Sequence, residues 1–113
     1  MARQPLSELA VAAVRRYCEQ RVRPEIRDKL RYDVETRGNS ITIFECRPPW
    51  REDFGPEWTR MKIAQFRFED GLWSLFWANR SERWLEYPDA EPSTDIGDLI
   101  AALNDDVSGC FFG

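Results

Sequence analysis

Apolar residues recur at steps of three and four near the start of the chain, which is the period of an amphipathic helix. Ser7 is placed to cap this helix, and it should end by Arg23 because Pro24 disfavours helical geometry in the residue before it. The predicted apolar stripe consists of Leu6, Leu9, Ala10, Ala13, Val14, Tyr17, Cys18 and Val22. The helix should therefore pack through one face and expose charged side chains on the other.

Alternation with a period of two follows the helix and predicts a β-hairpin whose loop is Gly38-Asn39. With these two residues as the loop, the facing pairs are Val34 with Ile43, Tyr32 with Glu45, and Asp33 with Phe44. The side that faces the core then carries Leu30, Tyr32, Val34, Ile41 and Ile43.

A second hairpin has the strongest local pattern in the chain, with Asp70-Gly71 as a type I′ turn between two alternating apolar runs. Its apolar face is formed by the pairs Phe68 with Trp73, Phe66 with Leu75, and Ala64 with Trp77. The opposite face mixes apolar residues such as Ile63 and Phe76 with polar ones such as Arg67. This mixture predicts partial cover on that side as well.

The rest of the chain predicts a fifth strand over 84–87 and a second helix that ends at about Asp106. This helix starts near Ser93, Thr94 or Asp95, any of which can cap it. The buried stripe of this helix is Ile96, Leu99, Ile100 and Leu103. The core of the sheet should include Trp73, Trp77 and Trp84. Phe111 and Phe112 should pack on the sheet or across a dimer interface, since exposed C-terminal phenylalanines would fray.

These elements predict an α+β fold in one domain over residues 1–113, a length that can bury a core without disulfides or metals. The expected architecture is one antiparallel sheet of about five strands with an N-terminal and a C-terminal helix packed on it. The apolar run near the N-terminus is too short for a signal peptide or a membrane span. The protein should therefore be soluble and cytoplasmic.

Composition excludes several kinds of chemistry. The chain has no histidine, so Ser-His-Asp and Cys-His catalysis and histidine metal ligation are ruled out. Its three cysteines form no C-x-x-C pair, which leaves no zinc cluster or thioredoxin-like site. No cofactor and no metal are expected. The net charge is −4, and residues 84–113 carry seven acids and no base, so charge disfavours nucleic acid as a partner of the whole surface while leaving a local patch open.

The segment from 47 to 58 holds three prolines and a glycine, so it is predicted to be a loop. At about twelve residues it is long for a compact domain, and long ordered loops are often functional. Its two tryptophans lie beside three arginines, two within the segment and one just after it, and these residue types dominate interface hot spots. The candidate binding residues are Arg47, Trp50, Arg51, Trp58 and Arg60. The alternative is that both indoles fold back over the sheet.

Two carboxylates suggest an alternative function, a metal-dependent nuclease or another enzyme that acts on a phosphate-containing substrate. Asp33 and the triplet from Glu45 to Arg47 have about the spacing of an acid followed by E-x-K on the next strand. The predicted hairpin register, however, puts Asp33 and Glu45 on opposite sides of the sheet. Arginine also replaces the lysine, and it does not readily release a proton. A pocket lined by the tryptophans of the sheet is a third option.

Four segments in this order resemble a family of small bacterial proteins, domain of unknown function 3024. They are the loop start Arg47-Pro48-Pro49-Trp50, the strands Trp73-Ser74-Leu75-Phe76-Trp77 and Arg83-Trp84-Leu85-Glu86-Tyr87, and the ending Gly109-Cys110-Phe111-Phe112-Gly113. The resemblance implies a bacterial, cytoplasmic, single-domain protein, and it implies no activity. The residues themselves favour a non-enzymatic binding or interaction module. They do not identify its partner: a protein or a second copy of the chain fits, and nucleic acid or a nucleotide is an option that the net charge disfavours.

Overall fold

The structure, a computed structural model, describes residues 7–49, 51, 53 and 55–112. It confirms the predicted α+β fold: the elements follow the order of one helix, five strands and a second helix. The helices are α1 (Glu8–Arg21) and α2 (Ile96–Asp105), and a short 3-10 turn, Pro24–Ile26, follows α1. The strands are β1 (Arg31–Arg37), β2 (Ser40–Arg47), β3 (Thr59–Glu69), β4 (Leu72–Ala78) and β5 (Trp84–Glu86). They form one antiparallel sheet in which each strand pairs with the next along the chain.

Helix α1 begins and ends where the capping and proline patterns predict. Ser7 Oγ accepts a hydrogen bond from the Ala10 N–H at 3.4 Å, and the helix ends three residues before Pro24. Its buried residues are Ala10, Val14 and Cys18. The prediction that Leu9 belongs to the apolar stripe is wrong, because this side chain is 84 % exposed. Leu9 precedes Ala10 and therefore projects about 100° away from the buried line of the helix. Leu6 lies outside the described residues.

The first hairpin has the predicted register throughout. Val34 faces Ile43, and the two-residue loop joins Arg37 to Ser40. Gly38 adopts a φ of 57° at the first loop position, a conformation that costs a glycine little because it has no Cβ. The loop residue therefore fixes which side of each strand faces the core.

The second hairpin also has the predicted pairs, and its turn residues Asp70 and Gly71 have φ values of 53° and 78°, as a type I′ turn requires. One prediction about β3 is wrong. A β-bulge lies where Ile43 pairs with Ala64 and Phe44 pairs with Lys62, so Ile63 has no partner on β2. The extra residue rotates Ile63 into the core, whereas regular alternation puts it on the opposite side.

Both helices contribute to one hydrophobic core. Asp95 caps α2 by accepting a hydrogen bond from the Gly97 N–H at 2.8 Å. The described core residues from the two helices and the sheet are Ala10, Val14, Cys18, Ile41, Ile43, Ile63, Ala64, Phe66, Trp73, Leu75, Tyr87, Ile96, Leu99, Leu103 and Phe111. Phe111 is buried and Phe112 packs against the core, which confirms that the C-terminal phenylalanines dock on the fold. Neither α1 nor α2, the helices of the described chain, has the length and apolar character to cross a bilayer.

The buried thiol of Cys18 gives a prediction for alkaline pH. Burial raises the pKa of Cys18 from about 9.0 to about 12. Above pH 9 the thiol ionises in the unfolded chain but not in the folded protein, so stability that is fully present below pH 9 should be lost as the pH rises toward 12. Urea denaturation at several pH values should therefore show that the free energy of unfolding falls more steeply between pH 9 and pH 12 in the wild type than in Cys18→Ala. Equal slopes for the two proteins would contradict the prediction.

Candidate functional site: the open face of the sheet

Both helices pack on the same side of the sheet, and in the described part of the chain no helix covers the other side. Facing residues of paired strands point to the same side, so the register defines the uncovered surface. We call this surface the open face. Its residues are Arg31, Asp33, Glu35 and Arg37 of β1, Ser40, Thr42, Phe44 and Cys46 of β2, Arg60, Lys62, Gln65, Arg67 and Glu69 of β3, Leu72, Ser74, Phe76 and Ala78 of β4, and Trp84 and Glu86 of β5.

Cationic side chains lie over aromatic rings on the open face. Three such pairs, with distances from the cation to the ring centroid, are Arg67 over Phe76 at 3.9 Å, Arg60 over Phe44 at 4.0 Å, and Lys62 over Trp84 at 5.5 Å. All three rings are half-buried. A cation within about 6 Å of a ring face is attracted by the ring quadrupole and contributes about 0.5–1 kcal/mol at an exposed site. The open face therefore combines aromatic surface with positive charge.

A pocket of about 210 Å³ lies on the open face. Two buried polar residues are among those that line it: the Gln65 side-chain amide donates a hydrogen bond to Thr42 Oγ1 at 2.9 Å. The Arg67 Nε donates to Gln65 Oε1 at 2.6 Å and so extends this polar network. Phe44 and Trp84 are among the pocket's lining residues. The pocket thus offers a ligand both hydrogen-bonding groups and aromatic rings.

The border of the open face at β1 holds a cluster of charged residues. Arg60 Nη2 donates to Glu35 Oε2 at 3.1 Å, and this hydrogen bond raises the pKa of the guanidinium. The Arg31 guanidinium carbon lies 4.2 Å from the centroid of the Trp58 ring, and its Nε is 3.7 Å from Asp33 Oδ1. Trp58 therefore joins the open face through Arg31, at the end of the loop that precedes β3.

The Cys46 thiol lies beneath this border. Burial raises its pKa, and a hydrogen bond with Asp33 raises it further, while Arg60 acts in the opposite direction. A raised pKa keeps the thiol protonated at neutral pH, and the thiolate is the reactive form. Cys46 is therefore a buried side chain of the sheet rather than an activated nucleophile.

The structure brings together two of the five predicted binding residues. Arg60 belongs to the open face, and the half-buried Trp58 stacks on Arg31 beside it. Trp50 lies outside the described residues. The loop's contribution to the open face, in the part that the structure describes, comes from the end that enters β3.

The other two predicted residues are engaged with carboxylates. Arg47 is exposed on the side of β2 opposite to the open face, and its Nε donates to Glu45 Oε1 at 2.6 Å. Arg51 donates two hydrogen bonds to Asp53, from Nε at 3.0 Å and from Nη2 at 2.9 Å. The Arg47 pair therefore lies on the opposite side of the sheet from the aromatic rings of the open face.

The geometry of Asp33 and Glu45 does not support a shared metal site. Asp33 faces Phe44 and Glu45 faces Tyr32 on neighbouring positions of the ladder, so the two carboxylates point to opposite sides of the sheet. The predicted register is confirmed here, and with it the separation of the two acids. Nothing in the described residues favours the nuclease alternative.

Most of the open-face residues were missed by inspection of the sequence. The prediction that Trp84 belongs to the core is wrong, since it pairs with Ala78 and its half-buried ring lies under Lys62. Arg67 and Phe76 alternate with core residues in the second hairpin, and the mixed composition of that face is the pattern that could have revealed them. The mixed composition predicted that this face is partly covered, and the side chains that cover its rings are the cations Arg67 and Lys62.

A groove of about 610 Å³ runs between α1 and β1. Its charged lining residues are Arg15, Glu19, Arg27, Arg31, Asp33, Glu35 and Arg60. Four arginines alternate there with three carboxylates, so the groove has little net charge and few aromatic residues. The open face is the more distinctive surface.

The fold and the site define a small α+β protein with helices on one side of a five-stranded meander and a cation–aromatic surface on the other. The chain belongs to the family described as Domain of unknown function (DUF3024), whose family model matches residues 1–113. This match confirms the resemblance that the four sequence segments indicate. Searches of the curated proteins and of the solved structures found no match.

Proposed function

We propose that this protein is a non-enzymatic binding module whose contact surface is the open face and whose ligand is anionic. From the loop that precedes β3, Trp58 takes part in this surface together with the neighbouring Arg60. The surface is suited to binding rather than to catalysis, because its described residues offer aromatic rings and cations and its one thiol, Cys46, is held protonated.

The observation that carries the proposal is the set of cation–aromatic pairs on the one side of the sheet that no described helix covers. Polar residues at these positions would expose less apolar surface to water than the aromatic rings do. A role in binding a ligand therefore explains why the positions are aromatic. Lys62 Nζ donates to the Glu82 carbonyl oxygen at 2.9 Å and Arg67 Nε donates to Gln65 Oε1. Neither cation has a carboxylate partner among the described residues, so their charges remain available to an anion. Tryptophan and arginine are also the residue types that most often dominate binding energy.

We assign the module to the bacterial cytoplasm. The three cysteines support a reducing compartment, since they are few, odd in number and all free of disulfides.

Two labelled polyanions test the proposal: a twelve-nucleotide oligothymidylate and a twelve-residue oligoglutamate, each titrated with protein and followed by fluorescence anisotropy. We expect at least one to bind, and the double variant Lys62→Gln/Arg67→Gln to weaken that binding at least tenfold. The matched control is Arg16→Gln/Arg23→Gln, which removes the same charge from exposed positions outside the open face. Failure of both probes to bind, or equal weakening by the two double variants, would overturn the proposal.

A further inference from the structure

We propose that the ligand of the open face is a single-stranded nucleic acid whose backbone follows β3 and whose bases stack beside it. This inference rests on the proposed function and names its ligand. It depends on how charge and rings are distributed among the five strands.

Positive charge on the open face is concentrated on the central strand. Arg60, Lys62 and Arg67 project from β3, while the neighbouring strands β2 and β4 contribute no charged side chain to this face. The edge strand β1 contributes two arginines and two acids, which balance, and β5 contributes the acid Glu86. Glu69 lies at the end of β3 beside the hairpin turn. The result is a line of positive charge one strand wide, in which Arg60 is paired with Glu35 of β1 while Lys62 and Arg67 have no carboxylate partner among the described residues. The border at β1 is neutral and the border at β5 is acidic.

A line of charge with this width fits one phosphodiester chain better than a duplex. From Arg60 to Arg67 the line is roughly 20 Å long at about 3.3 Å per residue. A duplex has two backbones, and the second would lie over the neutral border at β1 or over the border at β5, which carries the acid Glu86. A duplex also keeps its bases inside the stack, whereas aromatic platforms require unstacked bases.

The aromatic residues flank the positive line on both sides. The guanidinium carbons of Arg60 and Arg67 lie in contact with the rings beneath them, and a planar guanidinium can stack on a base while its N–H groups bind phosphate. Lys62 differs, because an ammonium cannot stack and it lies 5.5 Å from the Trp84 centroid. A nucleic-acid base can therefore take the place of Lys62 over the Trp84 ring. The Lys62 ammonium would then lie beside the phosphate backbone of the nucleic acid.

The acidic net charge of the chain does not oppose this ligand at the open face. The acids of the C-terminal segment, such as Asp98 and Asp105, are exposed on α2, which packs on the other side of the sheet. They repel a polyanion from that side and leave the open face as the favourable approach. Binding should consequently weaken steeply with salt, in proportion to the few phosphates contacted.

Fluorescence anisotropy with labelled twelve-nucleotide probes tests the inference: oligothymidylate DNA, oligouridylate RNA, and a duplex of the same length. We expect at least one single strand to bind tighter than the duplex and Trp84→Leu to weaken its binding about tenfold, which is the effect of removing one stacking platform. Lys62→Gln should reduce the slope of log affinity against log salt by about one. Leu85→Ala is the control, because this exposed neighbour on β5 points away from the open face.

The outcomes separate the two proposals. Unequal affinity for the DNA and RNA strands would identify which of them is the source of the ligand. Oligoglutamate binding that depends on Lys62 and Arg67, without binding of either single strand, would overturn the nucleic-acid ligand and leave the binding module standing. Equal affinity for duplex and single strand would also overturn it, and so would a Trp84→Leu variant that keeps the wild-type melting temperature and the wild-type affinity. Phe76→Leu provides a second platform variant if Trp84→Leu fails to fold.

Discussion

Replacing Asp106 by alanine should lower the free energy of unfolding by about 3 kcal/mol. The replacement removes two hydrogen bonds to a charged group, and each such bond contributes about 1.5 kcal/mol at the lower end of the usual range. Its carboxylate accepts hydrogen bonds from the Phe111 N–H at 3.1 Å and from the Phe112 N–H at 2.8 Å. The φ of Asp106 is 43°, in the left-handed region, which aspartate tolerates better than alanine because its short polar side chain can hydrogen-bond locally. Urea denaturation of the two proteins measures the difference.

Two further variants separate the carboxylate from the backbone conformation. Asp106→Gly removes the acceptor and relieves the strain, so it should be about 1 kcal/mol less destabilising than Asp106→Ala. Asp105→Ala, one residue earlier and exposed at the end of α2, should change stability by less than about 0.5 kcal/mol. If Asp106→Ala cost no more than Asp105→Ala, the C-terminal segment would not depend on this carboxylate.

The Asp106 carboxylate matters because it holds the last aromatic residues on the core. Phe111 is only 5 % exposed, and its ring centroid lies 4.8 Å from that of Tyr87 in an edge-on arrangement. Phe112 lies under the Arg21 guanidinium at 3.4 Å and so links the tail to α1. The sequence predicts that these rings pack, but Asp106 is one of seven acids in its segment, and nothing local distinguishes the one that binds the tail.

The hairpins are the part of the fold that the sequence predicts best. Gly38 and Gly71 each occupy a loop position with positive φ, and such a position fixes the register of every pair in its hairpin. Because turn type and alternation are both local, two short segments were enough to place the apolar pairs of both hairpins correctly. The separation of Asp33 from Glu45 followed from the same reasoning.

The side of β5 that faces the helices was harder to predict. Its phase relative to β4 is set by the turn over 79–83, where Glu82 has a φ of 60° and the Asn79 side chain accepts hydrogen bonds from Ser81 and Arg83. These contacts are not evident from apolar periodicity. A strand of three residues carries too little alternation to show its phase, so Trp84 was assigned to the wrong side.

The candidate site was predicted only at its loop end. Trp58 and Arg60 stand out in the sequence because they lie near a proline-rich loop, whereas Lys62 and Arg67 are isolated cations within an apolar strand. Their common line along β3 exists only after the bulge and the neighbouring strands are known. The net charge of −4 averages this line with the acidic C-terminal segment, and so it conceals a local distribution of the opposite sign.

Ile63→Ala should lower the free energy of unfolding by about 3 kcal/mol, within the range for truncating a buried isoleucine. Ile63 is 4 % exposed and belongs to the core, although alternation with Gln65 predicts it on the open face. The bulge causes this difference, because β3 has one more residue than β2 between the pairs Ile43 with Ala64 and Phe44 with Lys62. Since β3 is paired on both edges, it cannot move far to fill the cavity. Urea denaturation measures the loss.

Met61→Ala is the matched control, because Met61 lies on the same strand and is 55 % exposed. Its truncation should cost less than about 0.5 kcal/mol. In a regular ladder without the bulge, Ile63 would face Phe44 on the open face and Lys62 would turn to the side of the helices. An Ile63→Ala variant as stable as Met61→Ala would therefore show that the ladder is regular, and the juxtaposition of Lys62 with Phe44 and Trp84 on which both proposals depend would be wrong.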